Sequence, residues 1–279
     1  MSTVTAPTRA GAAAARGRGG SVVTLPRVLR SEWTKLWSLR STRWSLLFAF
    51  IAMAGLGPLI AAIQMSRWNQ LGPGERLHFN AIDHSLGGFN LAQLAIGVLG
   101  VLVISGEYST GQIRSSLMAV PRRLPVLWAK LIVFAAVAFA LMLVGALIAF
   151  FSSQAIFTQH HVNVALGHAP ALRVLFGVVL YMTLTGMLCT ALGAILRSTA
   201  GGISTWVGLL FVLPGINAIL PSSISNAINP YLPANAGAVL AHAGRDAHTL
   251  QPWAGFGLYC GYTALAIAIA AYLLVRRDA

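Results

Sequence analysis

Six stretches of roughly twenty apolar residues each, none holding an Asp, Glu, Lys, Arg or His, limit what this chain can fold into. They are Trp44–Gln64, Leu86–Ser105, Leu131–Phe151, Val174–Leu196, Ile203–Leu220 and Trp253–Val275. A helix of about 20 residues crosses the roughly 30 Å of bilayer hydrocarbon, and it satisfies its own backbone polar groups where no water can. The runs therefore predict an all-α integral membrane protein with six spans, the fifth being the shortest and carrying Pro214. Composition points the same way. Only 9% of residues are charged, whereas a soluble domain carries about 25%, so the chain lacks the charges to coat a soluble fold.

The basic residues give the orientation. If the N-terminus is cytoplasmic, the inner segments hold fifteen Lys and Arg and the outer ones four, namely Arg67, Arg76, Arg173 and Arg245. That asymmetry predicts both termini on the cytoplasmic side of the membrane. The net charge of +13 is thereby read as membrane orientation, and no nucleic-acid partner is expected. Residues 1–23 form an Ala-, Gly- and Arg-rich stretch expected to be a disordered basic tail. A cleaved signal peptide is not expected, because a long polar and basic stretch precedes the first apolar run.

Between the tail and the first span, residues 24–43 read as an amphipathic helix. Pro26 suits a first helical turn. Leu25, Leu29, Trp33, Leu36, Trp37 and Trp44 recur at helical steps as one apolar stripe, while Arg30, Glu32, Lys35 and Ser38 fall on the other side and Arg40 follows. Indoles at headgroup depth with cations beside them fit a helix lying on membrane lipid. Residues 106–130 form an inner loop with an acidic, glycine-bearing turn, Glu107–Gly111. A short helix is predicted over Gln112–Val120, with Ile113, Leu117 and Val120 on one side and Arg114 within it, and Pro121 stops it. A short helix with a small apolar face suits a groove on another protein.

Two segments, Ser-Glu-Trp-Thr-Lys-Leu-Trp-Ser-Leu-Arg-Ser-Thr at Ser31–Thr42 and Glu-Tyr-Ser-Thr-Gly-Gln-Ile-Arg at Glu107–Arg114, resemble those of the ABC-2 type transporter permeases. The similarity is greatest to the actinobacterial branch and runs from about Leu25 onward. It implies a membrane subunit that dimerises and binds a separate ABC ATP-binding subunit. That subunit would hold the ATP and magnesium, and this chain would bind no cofactor. The resemblance makes the stretch Glu107–Val120, with Pro121, the contact to the ATPase, and Leu25–Arg43 an interfacial elbow helix. It also implies short re-entrant helices in the outer loop 221–252, which is too apolar for a solvated loop and too broken by Pro221, Pro230 and Pro233 to span.

Chemistry absent from the sequence narrows the function. The chain has two lysines, Lys35 and Lys130, and neither follows a glycine as a phosphate-binding loop requires, so this chain is not expected to be an enzyme. The apolar runs hold no ionisable group to carry coupled protons or sodium. The seven histidines all fall in outer loops, and His160–His161 lacks a third ligand at a recognisable spacing. Cys189 and Cys260 lie within spans, as apolar packers. The expectation is an ATP-driven exporter of a lipophilic or amphipathic cargo. The alternative is a membrane anchor or sensory subunit that recruits a cytosolic partner without transporting anything.

Overall fold

The computed structural model describes residues 24–112, 123–244 and 248–276. Every regular element among them is helical, and six helices are long and apolar enough to cross a membrane. The chain is thus an all-α, multi-pass membrane protein. Helix α1 (Leu25–Ser38) ends at Leu39, whose extended backbone turns a corner into α2 (Arg40–Ser66). Two short helices follow, α3 (Pro73–Leu77) and α4 (Ala81–Leu86), and then α5 (Phe89–Ser109), α6 (Leu124–Phe157) and α7 (Ala171–Leu196). The fifth span is α8 (Thr199–Val207), a π-helical turn at Gly208–Val212, and α9 (Leu213–Ile219). Short helices α10 (Ser222–Ile228) and α11 (Pro233–Ala238) lead to α12 (Pro252–Arg276).

The helices overrun the apolar runs that mark them. Helix α6 has 34 residues, about 51 Å at 1.5 Å per residue, so it extends well beyond 30 Å of hydrocarbon. Its second turn takes in Lys130, and the α4–α5 span takes in Asp83, His84 and Glu107. Charged residues that the apolar runs exclude are therefore built into the ends of the spans.

Helix α7 is the centre of the bundle: 72% of its span is buried, against 22% for the fifth span. It packs on α5, α6 and α12. Missing side chains allow the close approaches. A Cβ on Gly100 would stand 2.5 Å from the Gly186 carbonyl oxygen, and one on Gly88 2.5 Å from that of Ala52. The Gly87–Gly88 break between α4 and α5 lies at this second contact, where α2 packs closely. In the fifth span, Pro214 lacks the N–H that an α-helix would use, and the wider turn just before it accommodates the proline ring.

Antiparallel alternation sorts the helix ends into two sets. The basal end carries α1, the start of α2, the end of α5, the start of α6, the α7–α8 turn and the end of α12. At the opposite end the segment after α10 closes over the bundle. Leu240 is fully buried against Gly177 of α7. The Ala243 amide donates to Asp83 Oδ1 (2.7 Å), tying this segment to α4. Beneath it a polar ladder crosses the bundle: Tyr181 donates to Gln93 Oε1 (2.7 Å), and Thr185 shares a hydrogen bond with the Tyr259 hydroxyl (2.9 Å).

Candidate functional site

The most concentrated chemistry in the fold is a four-charge cluster at the basal end. It is assembled by three helices that would otherwise bring only apolar faces together. On α1, Val28, Glu32 and Leu36 recur every four residues, share one face and are buried. That face lies on α6. The alternating pattern set Glu32 on the polar side of α1 with Lys35, but the structure turns it inward, only 4% exposed. The reason is its partner. Lys130, also 4% exposed, donates from Nζ to Glu32 Oε2 (2.7 Å) and to Glu107 Oε1 (2.9 Å). Lys35 closes the ring by donating to Glu32 Oε1 (2.7 Å) and to Glu107 Oε1 (3.2 Å).

Two ammonium groups and two carboxylates make a neutral set, which is how buried charge is tolerated. Burial alone would raise the Glu32 carboxyl, but Lys130 and then Lys35 outweigh it and hold the group below its ordinary value of 4.5. Burial alone would lower Lys35, but its hydrogen bond to Glu32 and the Glu107 charge hold it above 10.5. One asymmetry remains. Glu107 Oε1 takes both lysines, whereas its Oε2 is buried and accepts no hydrogen bond among the described residues.

The sequence-predicted site residues divide between this cluster and the segment beside it. Glu107 meets two lysines of its own chain. Gly111, at φ +72°, holds a left-handed turn that a side chain would strain, and Gln112 is exposed. Ile113, Arg114, Leu117, Val120 and Pro121 lie outside the described residues. Leu36 is buried, Leu29 is half-buried beside it, and Arg40 is exposed at the start of α2. Trp33 and Trp37 are exposed with their rings 5.8 Å apart, on the flank facing away from the bundle. The Thr24 side chain makes no capping hydrogen bond.

Two members of the cluster, Glu32 and Lys130, were not among the predicted site residues. The signal that marks them is scarcity. Basic side chains are almost all arginine here, 17 of 19, and both lysines of the chain sit in this one cluster with two of its three glutamates. A cavity of about 460 Å³ adjoins it, bounded by the α1–α2 corner, the end of α5 and the start of α6.

Other candidates hold less. Among the described residues no group of three His, Cys, Asp or Glu side chains is placed to hold a metal ion. His160 packs on Trp68 and His84 stacks on Phe79. Both cysteines are free. No known family model matches the chain, and no curated protein is significantly similar to it.

Proposed function

We propose that the chain is the membrane subunit of an ATP-driven exporter of the ABC-2 type. It dimerises with a second permease copy, is driven by a separate ATP-binding subunit, and moves a lipophilic or amphipathic cargo out of a bacterial cell. The basal end is then cytoplasmic, with both termini inside, a reading that the distribution of basic residues supports. Helix α1 is the interfacial elbow, its exposed indoles in the headgroup layer, and the short helices α10 and α11 are re-entrant, closing the outer mouth.

One observation carries this reading. The segment from Thr110 to Arg123 leaves the end of α5 and returns into α6, and the four-charge cluster clamps both of those ends to α1. A partner that pushes on this segment therefore moves α5, α6 and the elbow together. ATP and magnesium would sit in the partner, and nothing in this chain would touch them.

The test is coupling. Glu107→Gln and Gly111→Ala should leave membrane insertion and partner binding intact while ATP hydrolysis no longer drives export. Normal export by both variants would remove the proposed role of this region. A non-transporting anchor would also recruit an ATPase, so substrate-stimulated hydrolysis in reconstituted vesicles separates the two readings.

A further inference from the structure

At the end of the bundle opposite the four-charge cluster, charges from two helices hold the closing segment by its backbone. A short turn over Val239–Ala241 is followed by His242 and Ala243. Asp83 of α4 accepts the Ala243 amide through Oδ1 (2.7 Å). Arg173 of α7 donates from Nη2 to the Ala243 carbonyl (3.4 Å) and from Nη1 to that of Leu240 (3.5 Å). Both backbone groups of Ala243 are thus gripped, one by a carboxylate and one by a guanidinium. The grip falls where the chain leaves the bundle, since Ala241 is buried and Gly244, three residues on, is exposed. Earlier in the same stretch Gly237 lies against the Tyr181 ring, so a segment that lifts uncovers the polar ladder below it.

His242 sits within this grip and makes no hydrogen bond among the described residues. Its Nδ1 stands 4.0 Å from Asp83 Oδ1, the oxygen that takes the Ala243 amide. Its ring meets that of Phe89 on α5 nearly edge-on, at 5.5 Å. Among the described residues, the charged groups around it are Asp83 of α4 and Arg173 of α7. His84, the other titratable side chain of α4, is engaged elsewhere, with Nδ1 2.7 Å from Asn80 O and its ring stacked on Phe79. α12 carries its one charge, Arg276, at the basal end. Histidine is the side chain whose ordinary change of charge falls between pH 5 and 8. A proton gained by His242 sets a positive charge beside the Asp83 carboxylate and against an aromatic ring, and both attract it. The Arg173 charge opposes the gain, but it is spread over a guanidinium that already serves two carbonyls. We propose that Asp83, Arg173 and His242 form a proton-sensitive clip, in which protonated His242 tightens the hold on the segment Val239–Ala243 and neutral His242 loosens it. The closed end is therefore firmer when the medium on that side is mildly acidic.

The clip depends only on the fold, so it is tested on the chain alone, without any ATPase, and its failure is separate from failure of the coupling test. The purified chain in nanodiscs is followed by hydrogen exchange and mass spectrometry at pH 5.5 and pH 7.5, each rate being divided by the intrinsic chemical rate at that pH. A half-exposed charge pair predicts that protection of residues 239–243 rises about threefold at the lower pH. A peptide covering α10 should show no such rise. His242→Gln should remove the rise while leaving protection at pH 7.5 unchanged. Asp83→Asn keeps an oxygen for the Ala243 amide and should also remove the rise. Arg173→Met should lower protection at both pH values and keep the rise, which separates holding the segment from sensing the proton. Equal protection of the native chain at the two pH values, a matching rise in α10, a rise that survives in His242→Gln, or unchanged protection in Arg173→Met would overturn the proposal.

Discussion

Replacing Lys130 by methionine tests the cluster directly, because methionine keeps most of the side-chain volume and removes only the charge. The ammonium is nearly inaccessible and lies 2.7 Å from one carboxylate and 2.9 Å from another. At an effective dielectric of about 20, each pair attracts by about 6 kcal/mol before the cost of burial is counted. Most of that offsets desolvation, so the net worth of the cluster is small. Breaking it is another matter. Lys130→Met leaves Glu32 and Glu107 buried with only the half-exposed Lys35 between them, and stranding buried charge costs about 3–5 kcal/mol. Lys35→Met should cost about 1 kcal/mol or less, because solvent already screens that ammonium. Changing all four residues to methionine together should restore most of the stability, since no charge is then stranded. The assay is reversible denaturant unfolding in mixed micelles, followed by tryptophan fluorescence. Equal losses for the two lysine variants, or no recovery in the fourfold variant, would refute the reasoning.

Further outcomes follow from the same geometry. The Glu32 carboxyl sits below its ordinary 4.5 in the folded chain. Its contribution to stability is therefore complete above about pH 4.5 and lost as pH falls through the lowered folded value; unfolding measured from pH 7 to pH 2 should show this loss, and Glu32→Gln should flatten it. Lys35 is raised above 10.5, so its contribution is complete below that pH and fades only as pH climbs past it, which Lys35→Met should remove from an alkaline titration. Gly97→Ala places a methyl group within the Trp206 indole and should cost about 1–3 kcal/mol as an overpacked contact, with recovery when Trp206→Leu is added. Tyr181→Phe removes the 2.7 Å bond to Gln93 and should cost only about 0.6 kcal/mol, the usual size of such bonds within membranes; a loss above about 3 kcal/mol would show a wider role for this ladder.

The spans were legible because lipid imposes one strong rule, and the six long apolar runs obey it. Their ends were less so. A helix continues past the hydrocarbon wherever protein or water can serve its flanks, so α6 begins at Leu124 rather than Leu131 and takes Lys130 with it. Glu32 shows why the site itself was only half visible. Helical periodicity says which residues share a face, here Val28, Glu32 and Leu36, but a glutamate beside a lysine on an amphipathic helix reads as solvated unless its distant partner is known. That partner lies 98 residues away on α6. Glu107 and Gly111, by contrast, announced themselves through local sequence, a carboxylate followed by a glycine whose left-handed backbone a turn requires.

The central proposal is that an external ATPase moves this chain through the basal cluster. The direct measurement is export and ATP hydrolysis, in the same proteoliposomes, by the chain reconstituted with any ATPase that co-purifies with it. The comparison is between the native sequence and the fourfold methionine variant. The account predicts that the variant, though folded, still hydrolyses ATP but exports no cargo. Export at the native rate from vesicles holding that variant, or failure of any ATPase to bind the native chain, would contradict it.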